Sequence, residues 1–190
     1  MKLTVDFLKA KRACSDGLHW FETNFGSEAD YQTVLNRLAK EQFVSWADWV
    51  LKAVGPIDEV MEISADTKID GHLFVAGNLR CTASLQVSLT IKAGGGIEAG
   101  GGIKAGEGIE AGGGIEAGWG IEAGGNIEAG WGIKAGGGIK AGEGIEAGED
   151  FGIYCGLRLR LSVKVKYAVV TASTRPNNLV LGEYHEAKKG

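Results

Sequence analysis

Isoleucine returns every six residues from Ile91 to Ile145 without a slip, and alanine follows each one two positions later, from Ala93 to Ala147. A helix repeats every ~3.6 residues and cannot keep this phase. An extended trio can: Ile and Ala face one way and the residue between them faces the other. The next three residues must turn the chain. The first is Gly in every unit from Gly94 to Gly148, and the third is Gly except at Asn126 and Asp150, with Asn78 in the same place upstream. Gly, Asn and Asp tolerate positive φ, so a left-handed or tightly bent corner is expected there. A flexible Gly-rich linker would not hold the isoleucine phase.

The same phase runs upstream through Leu85, Leu79, Leu73 and Met61, broken at Thr67, and downstream to Phe151. Ile63, Ile69, Val75, Cys81, Val87 and, after the array, Ile153 take the second inward position. Three hexads close a triangular coil of 18 residues. The 16 hexads from Met61 to Gly156 predict a little over five coils, stacked about 4.8 Å apart. The units resemble the hexapeptide repeats of left-handed β-helices. They also resemble the right-handed triangular coils of bactofilins, so the residues fit either hand.

Residues 1–55 read as helices. Thr4 caps a short one, Ser15 or Asp16 starts a second that Gly26 ends, and Tyr31, Val34, Leu35 and Leu38 mark a third. Ser45 caps a fourth, which Gly55 and Pro56 stop. Trp20, Phe21, Phe25, Phe43, Trp46 and Trp49 are many for so short a segment. They suit the large side chains a small core needs, or the wall of a ligand pocket. Beyond the coils, "LRLRLSVKVKYAVV" (157–170) alternates like a straight strand with Arg158, Arg160, Lys164 and Lys166 outward. A turn at Pro176-Asn177-Asn178 and a returning strand follow. The expected architecture is α+β: a helical cap (1–55), a triangular parallel β-helix (56–156), and C-terminal strands (157–190) that cap it or pair with a second copy.

Net charge of −4 gives no bulk basic character for nucleic-acid binding. Cys14, Cys81 and Cys155 form no CxxC pair or zinc spacing, so reduced thiols and no metal or cofactor are expected. The start of the chain lacks a signal-peptide pattern, and no apolar run approaches the roughly 20 residues of a membrane helix. A cytoplasmic protein is expected.

Stacking by 18 aligns the outward residues into Lys92, Glu110, Glu128 and Glu146; Glu98, Glu116 and Lys134; and Lys104, Glu122 and Lys140. Residues 91–150 carry 4 Lys against 9 Glu and Asp150, a net of −6. That acidic column with a basic distal end offers a mimic of a phosphate backbone, or a solvated face. Trp119 and Trp131 stand in the middle corner position, otherwise mostly Gly, which Glu107, Glu143 and Glu149 also occupy. An exposed indole calls for an apolar neighbour or a partner.

Hexapeptide acyltransferases place a histidine base near a subunit groove. Here His19, His72 and His185 lie outside the regular array and no loop interrupts it, so no catalytic residue is assigned. Bactofilin-like self-assembly through coil ends is a second reading. The segments "RACSDGLHWFETNFG" and "SWADWVL" resemble an N-terminal module of small phage and bacterial proteins. In that setting a rigid acidic β-helix is similar to anti-CRISPR and DNA-mimicking inhibitors. The resemblance implies binding without chemistry, to a host protein or nucleoprotein complex in a bacterial cytoplasm, with a homodimer through a coil end or the C-terminal strands also open. Candidate contacts are Glu110, Glu128, Glu146, Trp119, Trp131, Glu107 and Glu143, and the basic segment Arg158, Arg160, Lys164 and Lys166.

Overall fold

The computed structural model describes residues 1–159 and 161–187. From Val60 to Ala147 short strands pair in parallel with an offset of 18, as in Ile103↔Ile121, Ile109↔Ile127 and Ile115↔Ile133. They form three sheets of 7, 5 and 7 strands, a parallel β-solenoid of about seven coils. Every Ile and Ala from Ile91 to Ala147 is buried in one continuous core. Seven coils exceed the five expected because Val169–Ala172, Leu179–Leu181 and Glu183–Glu186 add further rungs to two of the sheets.

The corner glycines are required for a reason other than the expected one. None from Gly94 to Gly148 has positive φ. Instead, a Cβ on the first corner residue would lie 1.9–2.5 Å from the carbonyl oxygen of the residue 18 earlier, as with Gly130 and Gly112 O. The coils approach too closely there for any side chain. Asn likewise serves a bond rather than a conformation. Gly96 N–H donates to Asn78 Oδ1 and Gly144 N–H to Asn126 Oδ1, both at 2.7 Å. Side-chain oxygens thus satisfy corner amides of the next coil.

The N-terminal region folds as four helices, α1 (Val5–Ala10), α2 (Ser15–Phe25), α3 (Tyr31–Lys40) and α4 (Val44–Val54). Thr4 caps α1 as expected. Cys14 rather than Ser15 or Asp16 caps α2, its Sγ accepting from Gly17 N–H at 3.4 Å. Helix α4 starts one residue before Ser45 and has no side-chain cap. A two-stranded ribbon unforeseen in the sequence, Lys2–Thr4 against Glu28–Asp30, ties α1 to the start of α3. Tyr31, Val34, Leu35 and Leu38 fill the core as their spacing predicts.

The helices attach to the solenoid at its first five-stranded rung, Leu73–Val75. Phe74, outward in the pleat, is 1% exposed because it enters the helical core. The Gln32 side chain donates to Phe74 O at 2.7 Å and accepts from Ala76 N–H at 2.9 Å. Its amide stands in for a neighbouring strand and closes that sheet edge. The expected cap is therefore present as an edge cap on this face.

Residues 157–167 correct the expected basic strand. The chain leaves the coil at Gly156, whose φ is 74°, and forms a helix, α5 (Leu161–Tyr167), before re-entering at Val169. Alternation alone cannot make a strand without an edge to pair with. The rung above Ile139–Ala141 is taken by Val169–Ala172, so the preceding segment closes its own hydrogen bonds as a helix. Arg160 lies outside the described residues.

Candidate functional site

Each flank of the triangle presents one outward residue per rung, so the three columns read from the sequence are physical. One face carries Phe74, Lys92, Glu110, Glu128 and Glu146; the second carries Arg80, Glu98, Glu116, Lys134 and Tyr154; the third carries Lys68, Gln86, Lys104, Glu122 and Lys140.

The acidic column is shorter than its sequence suggests. Glu110 is engaged by Lys92, which also bonds Asp48 of α4 at 2.9 Å, while Lys52 stands 3.9 Å from Glu110. Burial alone would push the Lys92 ammonium down and the Asp48 carboxyl up. Their mutual hydrogen bonds, with Glu110 and Lys52, reverse both directions. Glu110 is thus a docking residue of the helical module. Glu128, Glu146 and Glu149 remain together along the upper part of this face. On the third face, Glu122 sits between Lys104 at 3.3 Å and Lys140 at 3.6 Å, the alternation expected for adjacent rungs.

Glu107 and Glu143 share one edge of the triangle, two coils apart. Glu107 accepts from Thr90 Oγ1 at 2.8 Å, and Thr90 N–H donates to His72 Nδ1 at 3.3 Å. His72 is buried and stacked on Phe74, and burial lowers its pKa although Glu107 opposes this. A folded-state pKa below the unfolded value near ~6.5 means the unfolded chain binds more protons in that window. The contribution of His72 is therefore full above pH ~6.5 and lost as pH falls through its folded value. The melting temperature should drop between pH 7.5 and pH 5.5, and His72→Gln should flatten that dependence. An unchanged slope in the variant would place the titration elsewhere.

Trp119 and Trp131 lie on different edges, as an 18-residue coil requires, and are 68% and 60% exposed. Trp131 does not stand alone. Ile153 rather than Phe151 occupies the rung above Ile133, because the corner from Gly148 to Gly152 holds two extra residues. The displaced Phe151, 44% exposed, stacks on Trp131 at 6.2 Å. Tyr154 joins them at one end of a shallow groove of about 650 Å³ floored by Arg80, Glu98, Glu116 and Lys134. The sequence offered a signal for this cluster in the lengthened corner "AGEDFGI", which breaks the hexad. Near Trp119, the Arg158 side chain lies over Gly118 and Gly136, while Lys164 and Lys166 belong to α5, with Lys166 over the Tyr167 ring. The basic residues are therefore not one strand face.

The helical aromatics expected in a small core also line an opening. Trp20, Phe21, Trp46 and Trp49 border a cavity of about 240 Å³ among all four helices. Trp20 donates to Glu41 Oε2 at 2.7 Å, fixing one indole.

A four-helix module joined to a parallel β-solenoid is the class of protein these elements define. Residues 1–54, which contain the Cys14–Gly17 and Trp20–Phe21 motif, match the family described as YdhT N-terminal domain. No curated protein and no solved structure matches the chain. No helix among the described residues is long and apolar enough to cross a membrane.

Proposed function

We propose that this protein acts by binding, as a rigid inhibitor-type scaffold that engages a host protein or nucleoprotein complex in a bacterial cell through the flanks of its solenoid. The observation that carries this reading is the placement of Trp119 and Trp131. Both occupy a corner position where Gly95, Gly101, Gly113, Gly125 and Gly137 suffice for the fold, yet both indoles remain more than half exposed. Large aromatics on a rigid surface are characteristic anchors of protein interfaces. The groove beside Trp131 supplies both signs of charge for pairing around that anchor. The phage setting and the inhibitory role rest on the resemblance of the N-terminal segment.

The test is affinity capture from bacterial lysate followed by titration of the captured partner. Trp131→Gly with Phe151→Ser restores the composition of the other corners and should weaken binding at least tenfold, with the melting temperature kept. Glu128→Lys with Glu146→Lys tests the acidic-face version, since Glu110 is already committed to α4. Full affinity in both double variants and in Trp119→Gly would remove the solenoid flanks as the binding surface. Recovery of the protein alone, with a scattering mass that climbs with concentration, would replace this reading by self-assembly.

A further inference from the structure

The cavity in the helical module is a strongly apolar concavity away from the solenoid flanks. Its walls include Phe21, Val34, Leu38 and Val50, each buried, and the half-buried indoles of Trp20 and Trp46. At about 240 Å³ it is smaller than the ~300–1,000 Å³ of most drug-sized sites. It suits a single medium-length alkyl chain.

Its rim is not apolar. Arg12 and Cys14 also line it, and both are exposed. Arg12 makes no ion pair among the described residues. Its backbone ends α1 in a left-handed turn. Arg12 N–H donates to Lys9 O and Ala13 N–H to Leu8 O, which together make the Schellman ending of α1. The residue at its place in that motif adopts left-handed φ, 64° here, where glycine is favoured. Gln42 ends α3 in the same way, with φ 61°, so what sets Arg12 apart is its side chain, an exposed arginine, unpaired among the described residues, lining a greasy hole.

We propose that the N-terminal module holds an amphipathic anion, an alkyl chain in the cavity with a carboxylate or phosphate headgroup on the Arg12 guanidinium. The planar fork of guanidinium matches either headgroup with two parallel hydrogen bonds. Helix α2 contributes the wall beside Gly17, whose absent side chain leaves room: a Cβ there would meet only Cys14 Sγ, at 3.3 Å.

Decanoate is the carboxylate probe, decyl phosphate the phosphate probe, and decanol the uncharged control, each titrated into the full chain by calorimetry below its aggregation concentration. Cys14 gives a second readout. It is the exposed thiol, Cys81 and Cys155 being buried, so a bound ligand should slow its modification by iodoacetamide. Both anions should bind, and decanol at least tenfold more weakly; whichever anion binds tighter identifies the headgroup source. Arg12→Gly should raise the melting temperature while weakening the anions at least tenfold, an opposition that a purely structural arginine does not produce. Gly17→Leu should fill the cavity and abolish binding of all three probes while far-UV circular dichroism stays native. No binding of either anion at millimolar concentration, or affinities untouched by Arg12→Gly, would overturn the assignment.

Discussion

Gly130→Ala is expected to destabilise the solenoid by about 3 kcal/mol, whereas Gly125→Ala should leave stability unchanged or raise it by ~0.4–1 kcal/mol. Both positions are corner glycines, five residues apart, and neither has positive φ. What separates them is the coil below. A Cβ on Gly130 would lie 2.2 Å from Gly112 O, a backbone atom that no side-chain rotation can move aside. Relief requires parting two coils, which loosens the bond from Gly130 N–H to Ala111 O at 2.9 Å and its neighbours in the ladder. A Cβ on Gly125 finds its nearest atoms at 3.6 Å, ordinary contact, and alanine would restrict only the unfolded chain. Because each coil touches only its neighbours, a defect at Gly130 should also split the unfolding transition into two. Urea titration by far-UV circular dichroism checks both effects. Equal losses in the two variants would return the corners to a conformational explanation.

The distinction between those two glycines shows where sequence reading ends. The phase of Ile and Ala is legible because inward packing repeats at every rung, and the 18-residue stack then fixes which outward residues are neighbours. The first corner position being Gly in every unit from Gly94 to Gly148, while the next admits Trp119, Trp131, Glu107 and Glu143, is also legible. Its cause is not, since a carbonyl from another coil is invisible to local propensity. The basic segment failed for a related reason: Arg158 and Lys164 follow a strand pattern, but the sheet edge they needed is occupied by Val169–Ala172. Phe151 kept the hexad phase on paper, and the two-residue extension of its corner turned it outward onto Trp131. The aromatic cluster was thus hidden by the very regularity that revealed the fold.

Phe74 carries another signal readable in the sequence. Leu73-Phe74-Val75 is apolar at all three positions of a rung whose counterparts carry Lys92 or Glu110 in the middle, and a strand apolar on both faces is buried on both. Phe74→Ala should cost about 3–5 kcal/mol, the range for emptying a buried phenylalanine site. The loss should fall on the attachment. Gln32 and the Asp48–Lys92 pair would still bridge the two parts, but they are polar contacts at a boundary no longer sealed from water. Hydrogen exchange should therefore accelerate in α3 and α4, while the Ile127 amide, bonded to Gly144 O at 3.0 Å three coils up the same face, keeps its protection. Uniform acceleration through the solenoid would mean that the helices stabilise the whole array. No change in α3 would mean that the module folds on its own and merely rests on Phe74. That last result would make residues 1–54 a transferable unit, consistent with a family match confined to those residues.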